Sequence, residues 1–256
     1  MKTIFITGAA AGIGRATAQL FAGKGWFVGA ADRDEAALRT VQEGLGEANC
    51  SVHVMDVTDA ASVRQALAGF AARTEGQLDV LHNNAGILRV GRFEAIPLED
   101  HRAQVDVNLT GLLNVLHTAF PWLRDTPGAQ VVNMSSASAI HGTPDFASYS
   151  ATKHAVRAMT EALDIEWQEY DIRVCDLMPP FVATGMVNAN RAGSGMFDGM
   201  GVNLGAEDVA AQVWAVIRGG RGVHHPVSFP MKGLWSTSGA MPTAVTRRIM
   251  KRLWGR

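Results

Sequence analysis

Tyrosine and cysteine are scarce in this chain, two of each in 256 residues. The cysteines, Cys50 and Cys175, cannot make the disulfide framework of a small secreted domain. Both fall in apolar, strand-like runs, so buried thiols in a reducing, cytoplasmic compartment are expected. An excess of charge of one sign is missing too. Lys and Arg number 23 against 24 Asp and Glu, a net charge of −1, which gives no electrostatic footprint for nucleic acid. No metal site is expected. No long apolar run is present either: VNLTGLLNVLHTAFPWL, residues 107–123, holds two Asn, two Thr, a His and a Pro, and reads as a buried or interface helix, not a membrane span. Lys2 is followed at once by TIFIT and then glycines, so no signal peptide is expected. What remains is a chain 47% apolar and 18% charged, suited to a soluble protein with a large core.

Short β-rich runs alternate with longer amphipathic ones. Strands are expected at 2–7, 26–31, 51–56, 78–83, 130–135 and 172–178, with a last one near 222–229. Helices are expected at 12–24, 34–47, 59–74, 98–123, 149–169 and 206–217. Apolar strands without strict alternation are buried on both faces, and strand–helix alternation with right-handed crossovers gives a parallel sheet. The expected fold is therefore α/β: a single-domain, Rossmann-like doubly wound sheet of about seven parallel strands with helices on both faces, spanning residues 1–256.

After the first strand comes TGAAAGIG, residues 7–14. Gly8 suits a tight turn, Gly12 a close backbone approach to a pyrophosphate, and Gly14 close helix–strand packing. The helix that follows would turn its free N–H groups and positive dipole end toward phosphates. Asp32 lies 18 residues beyond Gly14, where a carboxylate can accept hydrogen bonds from ribose hydroxyls and repel a 2′-phosphate. That favours NAD over NADP. Arg33 pulls the other way, since a guanidinium there can pair with a 2′-phosphate, so NADP stays open.

One of the two tyrosines, Tyr149, stands four residues before Lys153 in SYSATKHA. At this spacing the pair shares one helix face, about 6 Å apart along the axis. A nearby ammonium and the positive nicotinamide ring of a bound NAD⁺ both lower a phenol's pKa, which is otherwise about 10 and too high for a base near neutrality. The expectation is a proton-transfer tyrosine tuned by a lysine. A surface Tyr–Lys pair is the plain alternative.

Together TGAAAGIG (7–14), NNAG (83–86), Asn108 in VDVNLTG, NMSS (133–136) and YSATK (149–153) resemble the motifs of the short-chain dehydrogenase/reductase family, in its shorter single-domain branch. The resemblance covers residues 1–220. It implies a catalytic tetrad of Asn108, Ser136, Tyr149 and Lys153. Ser136 would hydrogen-bond the substrate oxygen, and Asn108 would hold an ordered water linked to Lys153. It also implies a cofactor path along Gly8, Ala11, Gly12, Ile13 and Gly14, then Asp32 and Arg33, Asp56 and Val57 at the adenine, and Asn84, Ala85 and Gly86. The path ends at Tyr149 and Lys153 on the nicotinamide ribose, with Pro179, Val182 and Thr184 beside the ring. One departure is plain: Pro179-Pro180 stands where the family has Pro-Gly, which removes an N–H and fixes φ.

Residues 180–204, following Met178, are expected to form a substrate lid. Met178, Phe181, Met186, Met196, Phe197 and Met200 would give an adaptable apolar wall, and glycines would let it move. Core packing fits these residues equally well. Ala137, His141, Phe146, Pro180, Phe181 and Met186 are the candidates to face substrate beside Ser136 and Tyr149, although for His141 a solvent-exposed loop position is favoured over the pocket. The substrate is then a hydrophobic, bulky ketone or secondary alcohol. Residues 230–256 leave the family pattern. Val245, Ile249 and Leu253 fall on one helical stripe among Arg247, Arg248, Lys251 and Arg252. Docking of this helix on its own protein or a dimer partner is favoured over contact with an anionic membrane surface. The helices at 98–123 and 149–169 match the family's dimer surface, so a homodimer is expected and a tetramer is less so. The competing class of function is a dinucleotide-sensing regulator without turnover, which needs neither Tyr149 nor Ser136.

Overall fold

Among the described residues, seven strands hydrogen-bond into one sheet in the order β3-β2-β1-β4-β5-β6-β7, every pairing parallel. They are β1 (Thr3–Thr7), β2 (Phe27–Asp32), β3 (Cys50–Val54), β4 (Val80–Asn83), β5 (Gln130–Met134), β6 (Arg173–Met178) and β7 (His224–Pro226). The computed structural model describes residues 1–238 and 240–255. Gly239 and Arg256 of the atypical tail lie outside the described residues, as do the side chains of 229–231.

Alternation along the strands feeds two apolar layers. Ile4 and Ile6 of β1 point to one face, with α1 (Gly12–Gly23), α2 (Glu35–Leu45) and α9 (Ala206–Gly219). Phe5 points to the other, with α3 (Ala60–Arg73), α5 (Gly111–Arg124) and α6 (Ala147–Glu166). Each fully buried side chain of this size contributes about 1.5–3 kcal/mol, so the doubly buried central strands anchor the fold. Asp34 and Asp59 cap α2 and α3, accepting from Ala37 N at 3.0 Å and Ala61 N at 2.8 Å. By contrast α1 starts at Ala11 with no side-chain cap. The chain runs outward from β1 to β3 and then returns to place β4 on β1's other side. The carboxyl ends of β1 and β4 thus flank the crevice where a doubly wound sheet binds its ligand.

Several elements differ from expectation. The helix predicted over 98–123 is two, α4 (Leu98–Val105) and α5, joined by one π turn at Asp106–Thr110. Asn108 sits in that turn. Its Oδ1 accepts from Ile87 N at 2.7 Å and its Nδ2 donates to Ile87 O at 2.9 Å, so its amide pairs with the strand-like segment after β4 as a second backbone would. The last strand shrinks to His224–Pro226, and α10 (Phe229–Ser238) follows it. Two short helices, α7 (Gly185–Asn190) and α8 (Met196–Met200), shape the region read as a lid. The tail helix α11 (Thr243–Leu253) forms, but with another face inward: Val245 and Ile249 stay exposed, 46% and 37%, while Met250, Leu253 and Trp254 pack with Met196 and Phe197.

Candidate active site

The glycine loop is built as a cradle. Gly8 has φ +67°, open to glycine at little cost. A β-carbon on Gly14 would stand 2.1 Å from the Gly8 carbonyl oxygen, so helix α1 abuts the loop as only glycine allows. Asn84 Nδ2 donates to Thr7 O at 2.9 Å and to Gly8 O at 3.2 Å, and Thr7 Oγ1 takes Asn84 N and Ala85 N at 3.0 and 2.9 Å. The two segments NNAG and TGAAAGIG are thereby locked edge to edge. Asp32 accepts from Ala10 N at 3.1 Å through Oδ2 and from Asp34 N at 3.1 Å through Oδ1, which aims its carboxylate into the crevice. With the uncapped amides of α1, these residues fit a dinucleotide: free N–H groups for the phosphates, a carboxylate for the ribose, and no side chain in the path.

A cleft of about 280 Å³ runs from this loop past the end of the sheet. It brings together Gly8, Ala11, Gly12, Ile13, Asp32, Asn84, Ala85 and Gly86 with Ser136, Phe146, Tyr149, Lys153, Pro179, Pro180, Phe181, Val182, Thr184 and Met186. The Pro-Pro departure thus leaves the neighbouring residues in the cleft. A side recess of about 110 Å³ takes Asp32, Arg33, Asp56 and Val57, the expected adenine end. Gly14, Asn108, Ala137 and His141 do not line the main cleft. Asn108 lies just behind it: a β-carbon on Gly86 would be 3.2 Å from its Oδ1 and 3.7 Å from Lys153 Nζ. Ala137 and His141 line a separate small chamber. Of the expected apolar wall, Met178, Met196 and Phe197 are fully buried core, so packing accounts for them. Leu88, Met134, Ser135 and Val187 also line the cleft and were not anticipated.

Tyr149 and Lys153 meet as their spacing requires, with Lys153 Nζ 5.5 Å from the Tyr149 ring centre. Lys153 alone does not supply the expected acidity. Burial pushes the Tyr149 phenol up to about 12, against the opposing pull of a hydrogen bond with Ser136. Burial likewise pulls the Lys153 ammonium down to about 8, partly offset by the Asp176 carboxylate. Lys153 Nζ donates to Met134 O at 2.8 Å. Desolvation therefore outweighs that hydrogen bond, and the phenol stays protonated near neutrality.

Beneath this pair lies a polar chain that sequence reading missed. His224 Nδ1 donates to both oxygens of the fully buried Asp176 at 3.1 Å, and Nε2 to Glu161 Oε1 at 2.9 Å. Arg157 pairs with Glu161 at 2.9 Å, and its guanidinium lies 4.5 Å from the Trp235 ring centre. Burial depresses the His224 pKa, but bonding to Asp176 and the charges of Asp176 and Glu161 outweigh it and leave it raised. The folded imidazole keeps its proton above the unfolded value of about 6.5. That stabilisation is complete below the unfolded pKa and is lost as pH rises through the folded one. Thermal melts of the native protein should show Tm falling by a few degrees from about pH 6 to 8. His224→Gln should flatten that slope; an equally steep one would remove the charge from His224. Asp176, the lone carboxylate in a strand that is apolar after Arg173, was the signal available in the sequence.

Fold and cleft define an α/β protein whose glycine cradle fits a dinucleotide, with Ser136, Tyr149 and Lys153 gathered at the cleft's end. The family model for short chain dehydrogenase matches residues 2–195. The chain is 36% identical over 188 residues to a 3-oxoacyl-[acyl-carrier-protein] reductase of Thermotoga maritima, covering 72% of this chain and 76% of that one. It is 34% identical over 187 residues to a 3-ketodihydrosphingosine reductase of Bacteroides thetaiotaomicron, covering 73% of this chain but only 66% of that one. Among solved structures, a 3-ketoacyl-(acyl-carrier-protein) reductase from Brucella melitensis complexed with NADH superposes with a TM-score of 0.80 at 27% identity, covering 88% of this chain and 96% of that one. The chain belongs to the short-chain dehydrogenase/reductase family and is an oxidoreductase acting on CH–OH or carbonyl groups. Among the described residues, no helix is long and apolar enough to cross a membrane, and no group of three His, Cys, Asp or Glu is placed to hold a metal.

Proposed function

We propose that this protein is a cytoplasmic, NAD(H)-dependent oxidoreductase that interconverts a hydrophobic ketone and its secondary alcohol within one catalytic domain. The observation that carries this reading is the convergence of Ser136, Tyr149 and Lys153 at one end of a cleft whose other end is the glycine cradle. Bound nicotinamide supplies the hydride or accepts it. The chain's own residues handle the proton and the position. Ser136 holds the substrate oxygen, and Tyr149 donates its phenolic proton to that oxygen as negative charge builds there. A phenol raised to about 12 is fully protonated at neutral pH, which suits the reductive direction. Lys153, near its titration range at about 8, stabilises the phenolate left behind and reaches the nicotinamide ribose. Asn108 fixes the segment at Ile87 and, through Nδ2 to Thr152 Oγ1 at 3.3 Å, the helix that carries both Tyr149 and Lys153.

Asp32 supports NAD, since a carboxylate beside the ribose repels a 2′-phosphate and the loop residues Ala9–Ala11 offer no cation to offset it, while Arg33 in the same recess is the one group that favours NADP. Phe146 and Phe181, ring centres 5.5 Å apart, give the substrate end its apolar wall. A homodimer through α4–α5 and α6 fits the exposed Val105, Leu113 and Ile165 on those helices.

The test is a screen of aliphatic and cyclic ketones with NADH and with NADPH, followed by nicotinamide absorbance, with the mass of the same preparation read by sedimentation. Turnover should favour NADH, and Asp32→Ala should shift the NADH/NADPH ratio of kcat/KM toward NADPH by about tenfold or more, near 1.4 kcal/mol. Preference for NADPH in the native protein would remove the NAD assignment, and cofactor binding with no turnover of any carbonyl would favour the sensor reading.

A further inference from the structure

The tail helix α11 ends at Trp254, and the indole reaches back to the wall of the cleft. Trp254 Nε1 donates to Asp145 Oδ2, a contact across 109 residues of sequence. A carboxylate acceptor makes this a charge-assisted bond. Asp145 immediately precedes Phe146, which lines the cleft beside Tyr149 and Phe181. Asp145 also holds φ +66°, a left-handed backbone that a non-glycine residue keeps only where its surroundings hold it. Two bonds do so: Gly91 N donates to the Asp145 carbonyl at 3.0 Å, and the indole engages its side chain. The same turn of α11 bears on the lid from the other side. A β-carbon on Gly195 would stand 3.0 Å from the Trp254 carbonyl oxygen, and one on Gly199 would run into that of Leu253. Between these glycines Phe197 stands behind the cleft wall, its ring centre 5.4 Å from that of Phe146 and 4.5 Å from that of Phe181. The tail that leaves the family pattern thus fixes this aromatic wall at two points, by main chain on α8 and by an indole on Asp145.

Resting on the oxidoreductase reading above, we propose that Trp254 is a positioning residue for the substrate end of the cleft. Through Asp145 it sets where Phe146 stands, and so the shape of the apolar channel beyond Ser136 and Tyr149. Without the indole bond, Asp145 is free to leave its left-handed φ, and Phe146, one peptide further on, moves with it. The effect falls on the part of a substrate that lies along Phe146 and Phe181. The carbonyl held by Ser136 and Tyr149 is untouched, so binding of long substrates changes and the chemical step does not.

The experiment follows NADH-dependent reduction of the 2-alkanones from 2-butanone to 2-decanone, with Tm measured for each protein. The native protein is compared with Trp254→Phe, Asp145→Asn, Asp145→Ala and the double variant Trp254→Phe/Asp145→Ala. Phenylalanine keeps a ring and removes the N–H, while asparagine keeps an acceptor oxygen and tolerates the left-handed φ. Trp254→Phe should raise KM for 2-decanone by about tenfold, with kcat for both end members and KM for 2-butanone moving by less than about threefold. Asp145→Asn should stay within about threefold of native throughout, Asp145→Ala should raise the 2-decanone KM at least as much as Trp254→Phe, and the double variant should add nothing to Asp145→Ala. A 2-decanone KM unmoved by Trp254→Phe, an equal rise for short and long ketones, or additive effects in the double variant makes the bond a fastening of the tail alone and overturns the assignment, whatever Tm does. In each of these cases native turnover of the ketones keeps the oxidoreductase reading, whereas turnover of no member of the series by the native protein overturns both.

Discussion

Tyr149→Phe is expected to lower kcat for ketone reduction by about 10³-fold or more while the NADH dissociation constant moves by less than about threefold. The substitution removes one oxygen and its proton and nothing else. Tyr149's ring packs beside Leu88, Phe146 and Phe197, and phenylalanine keeps that packing, so the cleft retains its shape. What disappears is the acid at the point where the carbonyl oxygen gains charge. Ser136 remains, yet a serine hydroxyl already engaged as acceptor from Ser138 N at 3.2 Å can polarise an oxygen without delivering a proton for turnover. The pH dependence follows in sign from the same geometry. The phenol, held up to about 12, stays protonated across the neutral range, so reduction should be flat in pH until Lys153 titrates near 8. Oxidation of the alcohol needs the phenolate and should rise toward alkaline pH. A phenylalanine variant that keeps more than a tenth of native turnover would show that the proton comes from elsewhere.

Expected and observed acidity of Tyr149 differ for a definable reason. An i, i+4 spacing gives proximity, and the structure grants it. Spacing says nothing of how much water the surrounding chain removes, and here Phe146, Leu88 and the lid remove enough for desolvation to win over the hydrogen bond with Ser136, while the Lys153 Nζ is turned to Met134 O. The ammonium's pull is confined to what Lys153 does once the proton has left.

The same division runs through the fold. Strands at 3–7, 27–32 and 173–178 were legible because they are apolar on both faces, and the helices expected from 34 and 59 start where Asp34 and Asp59 cap them. The glycine loop and Asp32 were legible because each residue type answers a local backbone demand. The π turn at Asn108 was not, since a single inserted residue leaves the 3.6-residue pattern nearly intact over its length. In the tail, two stripes overlap at Leu253: one through Val245 and Ile249, the other through Met250 and Trp254. Only the partner surface, the close pass of Gly199 beneath the Leu253 carbonyl, selects the second. Asp176 and His224 stand 48 residues apart and meet only because β6 pairs with β7. Pairings of that kind are properties of the sheet and cannot be read along a helix or strand.

Gly14→Ala should weaken NADH binding by about 100-fold or more and lower Tm by about 5 °C or more, effects near 3 kcal/mol and 2 kcal/mol respectively. Its β-carbon would meet the Gly8 carbonyl oxygen at 2.1 Å and Asn84 Nδ2 at 2.8 Å. Neither neighbour is free to give. Gly8 is fixed between β1 and the loop with φ +67°, and Asn84 is tied to Thr7 O and Gly8 O. Relief requires moving α1 away from the loop by more than 1 Å, a distance that would spread the uncapped amides on which phosphate binding depends. Asp32 would be carried out of line as well, through its bond to Ala10 N. The control is Gly23→Ala at the far end of the same helix, where an added β-carbon meets nothing within 4 Å; it should leave binding unchanged and hold or raise Tm. If Gly14→Ala binds NADH as the native protein does, the close approach of helix and loop is not what organises the cofactor site, and isothermal titration of the two variants side by side decides it.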